Sequence, residues 1–287
     1  MTITTILKYQ KYPKKIAELF RKKRWEKGVA CPKCKERWIK IHQHLRNGIQ
    51  RYRCQKCRRI FSDLTGTIFG GTKLPLWKWL YALSAFLSTS GINSIALAEQ
   101  LSVNQKTGWR ILMAIRRTLL SHHQWLQGIV EADESYFGGR QKGRKGRSIR
   151  WSNKTCVVGA VERGGKAAVT ILNTVQEWSL TKFIQETVKE ESAVFTDAYG
   201  GYNGLSYAGF MHESVNHNRE FIRGRVHTQT IEGFWSFLKR KLRGVYYRPS
   251  ATHLLLYLKE YVFRYNHRGH SLKERFSSLL SFALNIS

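Results

Sequence analysis

Three acidic residues occupy positions where the sequence predicts the end of a strand or the start of a helix. Asp133 closes the predicted strand 128–133, Asp197 closes the apolar strand 193–197, and Glu232 opens a helix. A single acidic residue is most often a solvated surface charge, but an unpaired carboxylate after an apolar strand is costly to bury. Three converging carboxylates offer the hard oxygen ligands that Mg²⁺ or Mn²⁺ prefers. Two such ions would activate an attacking oxygen and stabilise a leaving one.

The identity of the first ligand stays open at this point, because Asp133 has two acidic neighbours. Glu131 and Glu134 both lie within two residues of it. Side chains two residues apart point to the same face of a strand, so Glu131 is the closer alternative to Asp133.

The helix that begins near Glu232 has two distinct faces. Glu232 shares one face with Ser236, Lys239 and Arg243, at helical spacing. The opposite stripe is apolar and consists of Ile231, Phe234, Leu238 and Leu242. We therefore expect this helix to dock on a core while it holds a metal ligand beside two cations.

Four of the five cysteines form two Cys-x-x-Cys pairs, Cys31 with Cys34 and Cys54 with Cys57. Each pair places two sulfurs on one side of a tight turn, and two pairs complete a tetrahedron around one Zn²⁺. The alternative is two redox pairs or disulfides. A strand-rich segment with an Asn-Gly hairpin turn between the pairs favours a structural zinc site without an open position. Cys156 lies in an apolar run and is expected to be buried.

The charge balance indicates a polyanionic partner. Lys and Arg number 49 against 19 Asp and Glu, which gives a formal net charge of +30. Nucleic acid is the commonest partner of such a chain, and an anionic membrane surface is the alternative.

Residues 1–30 predict one basic amphipathic helix with Ile16, Leu19 and Phe20 as its apolar stripe. No apolar stretch approaches the roughly 20 residues needed to span a bilayer, and we expect a cytoplasmic, DNA-associated protein with reduced thiols.

The elements between the cysteines and the carboxylates are helical. Residues 92–110 predict a helix, a short turn and a second helix that begins after Asn104 as its N-cap. Ala96 is a small residue at which the two helices could approach each other. A helix pair of this kind is typical of a helix-turn-helix, although plain helical bundles look similar. The exposed start of the second helix would then offer Gln105, Lys106 and Arg110 to DNA.

The order of predicted elements gives an α/β fold class with three domains. Residues 1–66 are expected to hold the basic N-terminal helix and the zinc ribbon. Residues 67–125 are expected to form the helix-turn-helix domain. Residues 126–287 are expected to form an α/β domain that finishes with helices.

These features together resemble the DDE transposases of bacterial insertion sequences, in the subgroup with an N-terminal zinc ribbon. The resemblance extends from about Phe20 to Arg268. Its most specific segments are Cys31–Cys57, Thr67–Phe69, Val130–Gly139, Thr196–Tyr202, Val215–His217, His227–Arg240 and Tyr265–Arg268.

The resemblance implies a ribonuclease-H-like catalytic domain in which Asp133, Asp197 and Glu232 bind two divalent ions, Mg²⁺ or Mn²⁺. Lys239 matches a fourth position of the family. It follows Glu232 by two helical turns, about 10.5 Å along the axis, which is far enough to hold a phosphate beside the metal ions. Some members of the family carry Asn at the third acidic position, where this chain has Glu232. Gln229 departs from the Asn of many relatives, and the sequence does not explain this difference.

The activity that the resemblance implies has two steps on double-stranded DNA. Water cuts the phosphodiester at the end of a mobile element and frees a 3′-hydroxyl, which then attacks target DNA without a covalent protein intermediate. Holding two ends and a target implies a dimer or larger assembly of this chain.

Two alternatives remain: a catalytically silent regulator that binds DNA, and a metal-dependent nuclease without joining activity. The basic loop 140–154 either follows phosphates or is a solvated loop.

Overall fold

The computed structural model describes residues 3–138, 154–216, 222–247 and 249–285. Two compact units are present: Met1–Leu119 with Gly269–Ser287, and Leu120–Arg268. Nearly all of the predicted basic loop, residues 140–153, lies outside the described residues.

The first unit begins with two helices, α1 (Ile3–Tyr9) and α2 (Pro13–Arg24). We predicted a single helix over residues 1–30, and this is wrong. Proline has no backbone N–H to continue a helix, but its fixed φ suits the first helical position, so Pro13 begins α2. The apolar face of α2 is buried at Ile16, Ala17 and Phe20.

A small antiparallel sheet is formed by β1 (Ile39–His44), β2 (Gln50–Cys54) and β3 (Ile60–Ser62). The first cysteine pair precedes β1, and the second pair lies at the turn between β2 and β3. The predicted hairpin at Asn47-Gly48 is confirmed by the pairing of β1 with β2. Gly48 has a φ of +88°, and a Cβ there would lie 2.7 Å from the Cα of Lys14. The turn therefore needs glycine both for its backbone conformation and for the close approach to α2.

The helical part of the first unit comprises α3 (Leu76–Phe86), α4 (Ser94–Leu101) and α5 (Gln105–Arg117). The predicted N-cap at Asn104 is confirmed, because its side chain accepts a hydrogen bond of 2.8 Å from the backbone N–H of Thr107. We expected Ala96 at the contact between α4 and α5. A close approach of the two helices is observed at Gly108, where a Cβ would lie 2.6 Å from the carbonyl oxygen of Ser94 and 3.2 Å from the Cβ of Ala98.

The last helix, α9 (Leu272–Leu284), belongs to the first unit. It begins with a capping box between Ser271 and Glu274 and packs against α2 and α3. The expected three-domain division, with 126–287 as the last domain, therefore differs from the compact units. The reason is that apolar residues of α9 such as Phe276 and Leu280 complete the core of the first unit.

The second unit is built on a five-stranded sheet. Its strands are β4 (Ile129–Phe137), β5 (Thr155–Glu162), β6 (Ala167–Leu172), β7 (Ala193–Asp197) and β8 (Met211–Val215). The strand order is β6-β5-β4-β7-β8. The strands β6, β5 and β4 are antiparallel neighbours, whereas β4, β7 and β8 run parallel.

Helices cover both faces of this sheet. On one face, α6 (Glu177–Thr187) and a 3-10 helix (Gly200–Leu205) pack on the sheet through Leu180, Tyr202 and other buried residues. On the other face, α7 (Gln229–Tyr246) and α8 (Ala251–Asn266) pack through Phe234 and Leu258. This arrangement of helices on both faces of a mixed sheet confirms the predicted α/β fold class.

Candidate active site and cysteine cluster

Asp133 lies in the middle of β4 rather than at its end, which corrects the prediction. The strand continues to Phe137 because β5 pairs with it along its whole length, from Val130–Glu162 to Phe137–Thr155. The parallel pairing of β4 with β7 is shorter and ends at Glu131, opposite Phe195. Asp133 therefore follows the last parallel pair, at the carboxyl end of that pairing.

The register of β4 and β7 brings Asp133 and Asp197 to the same level of the sheet. Glu131 of β4 is paired with Phe195 of β7. Asp133 follows Glu131 by two residues, and Asp197 follows Phe195 by two residues. Because side chains alternate along a strand, both aspartates lie on one face, the face covered by α7. The sequence-predicted pair is thus brought together by backbone pairing alone.

Helix α7 contributes the third acidic residue and its neighbours. The predicted apolar stripe of Ile231, Phe234, Leu238 and Leu242 is buried, which confirms the orientation expected for this helix. Glu232 is exposed, and its Oε1 accepts a hydrogen bond of 3.0 Å from the Thr228 hydroxyl.

The electrostatics of Asp133 reflect the neighbouring carboxylates. Burial raises the pKa of Asp133 to about 6, and the charges of Asp197 and Glu232 act in the same direction. Together these effects outweigh the hydrogen bonds from the Glu134 backbone and from Trp235. A cluster of this kind favours a proton or a cation at Asp133.

Lys239 is a cation of α7 that was predicted for the site and that interacts electrostatically with Asp133. Burial lowers the pKa of Lys239, as do the charges of Arg243 and Lys154, whereas Asp133 raises it. Its ammonium lies 5.8 Å from the centre of the Phe137 ring. Arg243 follows one helical turn later and is exposed.

Two further residues shape the surroundings of Asp133, and neither was predicted from the sequence. The indole Nε1 of Trp235 donates a hydrogen bond of 3.0 Å to Asp133 Oδ2. Gly159 is paired with Asp133 on β5, and a Cβ at this position would lie 2.6 Å from Cη2 of Trp235. A glycine inside an apolar strand is the sequence signal for such a close approach.

The two acidic neighbours of Asp133 have different environments. Glu131 is fully buried and interacts with Arg163 and with the first turn of α7. Glu134 is on the opposite face of β4, where its charge contributes to the raised pKa of Tyr202 after the larger effect of burial. The face that carries Asp133 and Asp197 is therefore shared by Glu131 and not by Glu134.

The four paired cysteines form a compact cluster. Cys31 Sγ lies 3.5 Å from Cys57 Sγ, and Cys34 Sγ lies 3.6 Å from Cys54 Sγ. All four sulfurs lie within 4.8 Å of one another. Zinc–sulfur bonds of about 2.3 Å in a tetrahedron require sulfurs about 3.8 Å apart, so the cluster fits one such ion.

The cysteine cluster has a perturbed thiol pKa and closely spaced ligand atoms. Burial raises the pKa of Cys31, but hydrogen bonds from the backbone of Cys34 and Lys33 outweigh it and bring the value to about 7. Among the residues that the structure describes, these four cysteines form a group of potential metal ligands whose sulfur atoms all lie within 4.8 Å of one another. Asp133 interacts electrostatically with Asp197 and Glu232.

Asp63 joins the ribbon to α2, a role that was not predicted from the sequence. The carboxylate is fully buried and forms an ion pair of 3.0 Å with Arg21. It also accepts hydrogen bonds from the Tyr52 hydroxyl at 2.8 Å, from the Gln50 backbone at 2.8 Å and from the Trp25 indole at 3.2 Å. A buried charge with this many donors is well satisfied and fixes the geometry of the ribbon.

The residues predicted to contact DNA on α5 lie at its exposed N-terminal part. Gln105, Lys106 and Arg110 are all exposed, whereas Ile111 and Leu112 are buried.

Within the described ranges of the chain, none of the helices is long and apolar enough to cross a membrane.

Two solved structures that resemble the chain are complexes of the Mos1 transposase. The Mos1 strand transfer complex has 14% sequence identity and a TM-score of 0.30, and the match covers 74% of this chain and 80% of that chain. The mariner Mos1 paired end complex with Mg has 13% identity and a TM-score of 0.31, with 74% and 81% covered. At such TM-scores the assignment of a family rests on sequence.

Sequence comparison gives that assignment. The model of the ISXO2-like transposase domain matches residues 125–266. An uncharacterized protein in transposable element ISH50 of Halobacterium salinarum is 30% identical over 94% of this chain and 97% of its own length. An uncharacterized transposase-like protein of Haemophilus influenzae is 34% identical over 35% of this chain and 81% of its own length. The chain therefore belongs to the family of transposases with an ISXO2-like transposase domain.

Proposed function

We propose that this protein cuts DNA at the ends of a mobile element and joins the freed 3′-hydroxyl to target DNA. The observation that carries the proposal is the register of β4 and β7, which aligns Asp133 with Asp197 on the face covered by α7. Glu232 and Lys239 are contributed by that helix. A carboxylate cluster beside a cation suits a reaction at a phosphodiester, where negative charge develops.

Asp133, Asp197 and Glu232 would hold two divalent ions, Mg²⁺ or Mn²⁺. The donor set consists of hard carboxylate oxygens, and the raised pKa of Asp133 reflects burial and two neighbouring negative charges that a cation would offset. When bound, such ions supply Lewis-acid activation of the attacking oxygen and charge stabilisation of the leaving oxygen.

The chain's own residues have separate tasks in this proposal. The Trp235 indole orients the Asp133 carboxylate through its hydrogen bond of 3.0 Å. Lys239 interacts with the charge of Asp133. It would bind a phosphate oxygen of the substrate, because an ammonium beside the carboxylates offers charged donors to that oxygen. Arg243, exposed one turn later, would contact the DNA backbone.

The first unit would bind DNA. One structural Zn²⁺ per chain would be held by Cys31, Cys34, Cys54 and Cys57. The exposed residues Gln105, Lys106 and Arg110 at the start of α5 would contact double-stranded DNA at the element ends. Two ends and a target must meet during joining, so the active form would be a dimer or larger assembly on DNA.

The test is an assay that scores cleavage and joining separately. Its substrates are intact and pre-cut duplexes carrying the inverted repeats that flank the gene, with a target plasmid and Mg²⁺. Alanine variants of Asp133, Asp197 and Glu232 should each lose both reactions, because residues that act as a unit fail together. Lys239→Ala should lower activity without abolishing it. Binding of the end duplex should persist in all four variants.

The matched control is Glu186→Ala, which removes an exposed carboxylate from α6 and should retain both reactions. If Asp197→Ala joins ends at the rate of the unaltered protein, the assignment of the site is wrong. Cleavage without joining by the unaltered protein would identify a nuclease. Binding without either reaction would identify a regulator.

A further inference from the structure

The buried carboxylate of Glu131 lies at the start of α7. Its Oε2 accepts hydrogen bonds from the backbone N–H groups of Thr230 at 2.7 Å and Ile231 at 3.1 Å. Its Oε1 accepts one from the Thr230 hydroxyl at 2.9 Å and one from Arg163 Nε at 2.6 Å. His227 Nδ1 lies 3.2 Å from the same oxygen. Both carboxylate oxygens therefore have donors.

Helix α7 does not supply its own N-terminal cap. Its N-cap residue is Thr228, whose side chain makes no capping hydrogen bond and instead donates to Glu232. The first N–H groups of a helix need an acceptor from elsewhere, and a carboxylate there also interacts favourably with the helix dipole. Glu131 provides this acceptor from 99 positions earlier in the chain.

Arg163 extends the same connection to the segment that precedes α7. It donates from Nη1 to the carbonyl oxygen of Arg225 at 2.8 Å and from Nη2 to that of His227 at 3.1 Å. Its guanidinium also lies 5.1 Å from the centre of the Phe195 ring. The carboxylate and this guanidinium thus fix both the approach to α7 and its first turn.

We propose that Glu131 is a positioning residue that holds the first turn of α7 on β4 so that Glu232 faces Asp133. The inference rests on the proposed metal site. Asp133 follows Glu131 by two residues on the same strand face, and Glu232 directly follows Ile231, whose N–H the Glu131 carboxylate binds. Glu131 therefore connects the elements that carry the two predicted ligands, and it is not a ligand itself, because a cation would displace the capping hydrogen bonds and the ion pair.

The expected effect follows from what supporting partners contribute to metal sites. Loss of a residue that orients a ligand typically weakens metal affinity about 10–100-fold. Glu131→Ala removes the cap and the ion pair together. Glu131→Gln keeps an oxygen that accepts from the α7 backbone but loses the charge, so its effect should be the smaller of the two.

Glu260 of α8 offers a matched control, because it contacts Tyr246, the last residue of α7. Its carboxylate is also fully buried, pairs with Arg264 at 2.9 Å and accepts from the Tyr246 hydroxyl at 2.8 Å. Glu260→Gln therefore perturbs a buried, ion-paired carboxylate that contacts the end of α7 opposite to Glu232.

The experiment measures Mn²⁺ binding to the zinc-loaded, full-length protein by the electron paramagnetic resonance of unbound Mn²⁺. Hydrogen exchange of the peptide amides at the start of α7 is measured on the same samples. Glu131→Ala should weaken Mn²⁺ binding by about tenfold or more and speed exchange at Thr230 and Ile231. Glu131→Gln should show a smaller change of the same sign, and Glu260→Gln should leave Mn²⁺ affinity unchanged.

Each remaining outcome decides between the two proposals. Unaltered Mn²⁺ affinity in folded Glu131→Ala overturns the inference, as does equal weakening in Glu260→Gln. If Glu131→Ala does not fold, the comparison of Glu131→Gln with Glu260→Gln decides. Asp133→Ala should lose Mn²⁺ binding. If it binds Mn²⁺ like the unaltered protein, the metal site is wrong, and exchange at Thr230 and Ile231 still tests the capping role.

Discussion

The indole of Trp235 and the carboxylate of Asp133 form a hydrogen bond of 3.0 Å between α7 and β4. The contact is possible because Gly159, beside Asp133 on β5, leaves room for the indole ring. One oxygen of a predicted metal ligand is thereby fixed by a donor that cannot lose its proton at ordinary pH.

Replacement of Trp235 by phenylalanine removes this donor and keeps an aromatic ring in the core. The hydrogen bond lowers the pKa of Asp133, so its loss should raise that pKa further. We expect the Mg²⁺ concentration for half-maximal joining to rise by about tenfold, as measured in Mg²⁺ titrations of the joining assay. Trp178→Phe, on the exposed surface of α6, is the control and should leave the Mg²⁺ requirement unchanged.

Asp133 should make the metal-free protein less stable at neutral pH. Its pKa of about 6 in the folded state lies above the ordinary value of 3.8. As the pH rises between these values, the unfolded chain loses the proton first while the folded protein retains it. The free energy of unfolding therefore falls across this window, and the full loss is present above about 6.

Asp133→Asn should accordingly raise the free energy of unfolding of metal-free protein at neutral pH. The pKa shift corresponds to a gain on the order of 1–3 kcal/mol, measured by urea unfolding. The difference from the unaltered protein should vanish at acidic pH, and Mg²⁺ should stabilise only the unaltered protein. Glu186→Gln, an exposed change on α6, should show none of these effects. A variant that is no more stable at neutral pH would contradict the prediction.

Zinc should be present at one ion per chain and depend on the paired cysteines. Cys54→Ala removes one of four sulfurs that lie within 4.8 Å of one another, so it should release the ion and loosen the ribbon. Elemental analysis and limited proteolysis measure the two effects. Cys156→Ala, a buried cysteine of β5, should keep the full zinc content. Zinc-free protein with a protease-resistant ribbon would show that the cluster does not need the metal.

DNA binding should weaken steeply with salt, because Lys and Arg contacts release counterions from phosphates. For six to ten such contacts, the affinity should fall by about 10³–10⁵-fold between about 50 and 200 mM salt. Lys106→Ala and Arg110→Ala should each reduce the slope of this dependence by about 1. Lys182→Ala on α6 is the control, since it removes an exposed charge from the second unit. If the DNA affinity of the unaltered protein does not change with salt, the net charge of +30 does not serve phosphate binding and the prediction is wrong.

Local patterns in the sequence predicted the elements that depend on neighbours in the chain. The N-cap at Asn104 and the hairpin turn at Asn47-Gly48 are examples, because each is specified by residues within a few positions. The apolar stripe of α7 was also predictable, since burial at helical spacing needs no knowledge of the partner surface.

Features that depend on distant partners were not predictable in this way. The length of β4 beyond Asp133 is decided by its pairing with β5, and the contact at Gly108 is decided by the path of α4. The environment of Glu131 depends on a helix turn 99 positions away, which left its role open in the sequence. The roles assigned to Asp133, Asp197, Glu232 and Lys239 remain predictions until activity is measured.

The position of α9 has a consequence for the order in which the protein can be completed. Because the first unit comprises Met1–Leu119 and Gly269–Ser287, the whole of Leu120–Arg268 is inserted within it. During synthesis from the amino terminus, α2 and α3 emerge long before the helix that covers them. If synthesis stops after the inserted unit, α9 is missing and apolar residues of α2 and α3 stay uncovered. We expect such a truncated chain to be degraded, because the core of its first unit is incomplete.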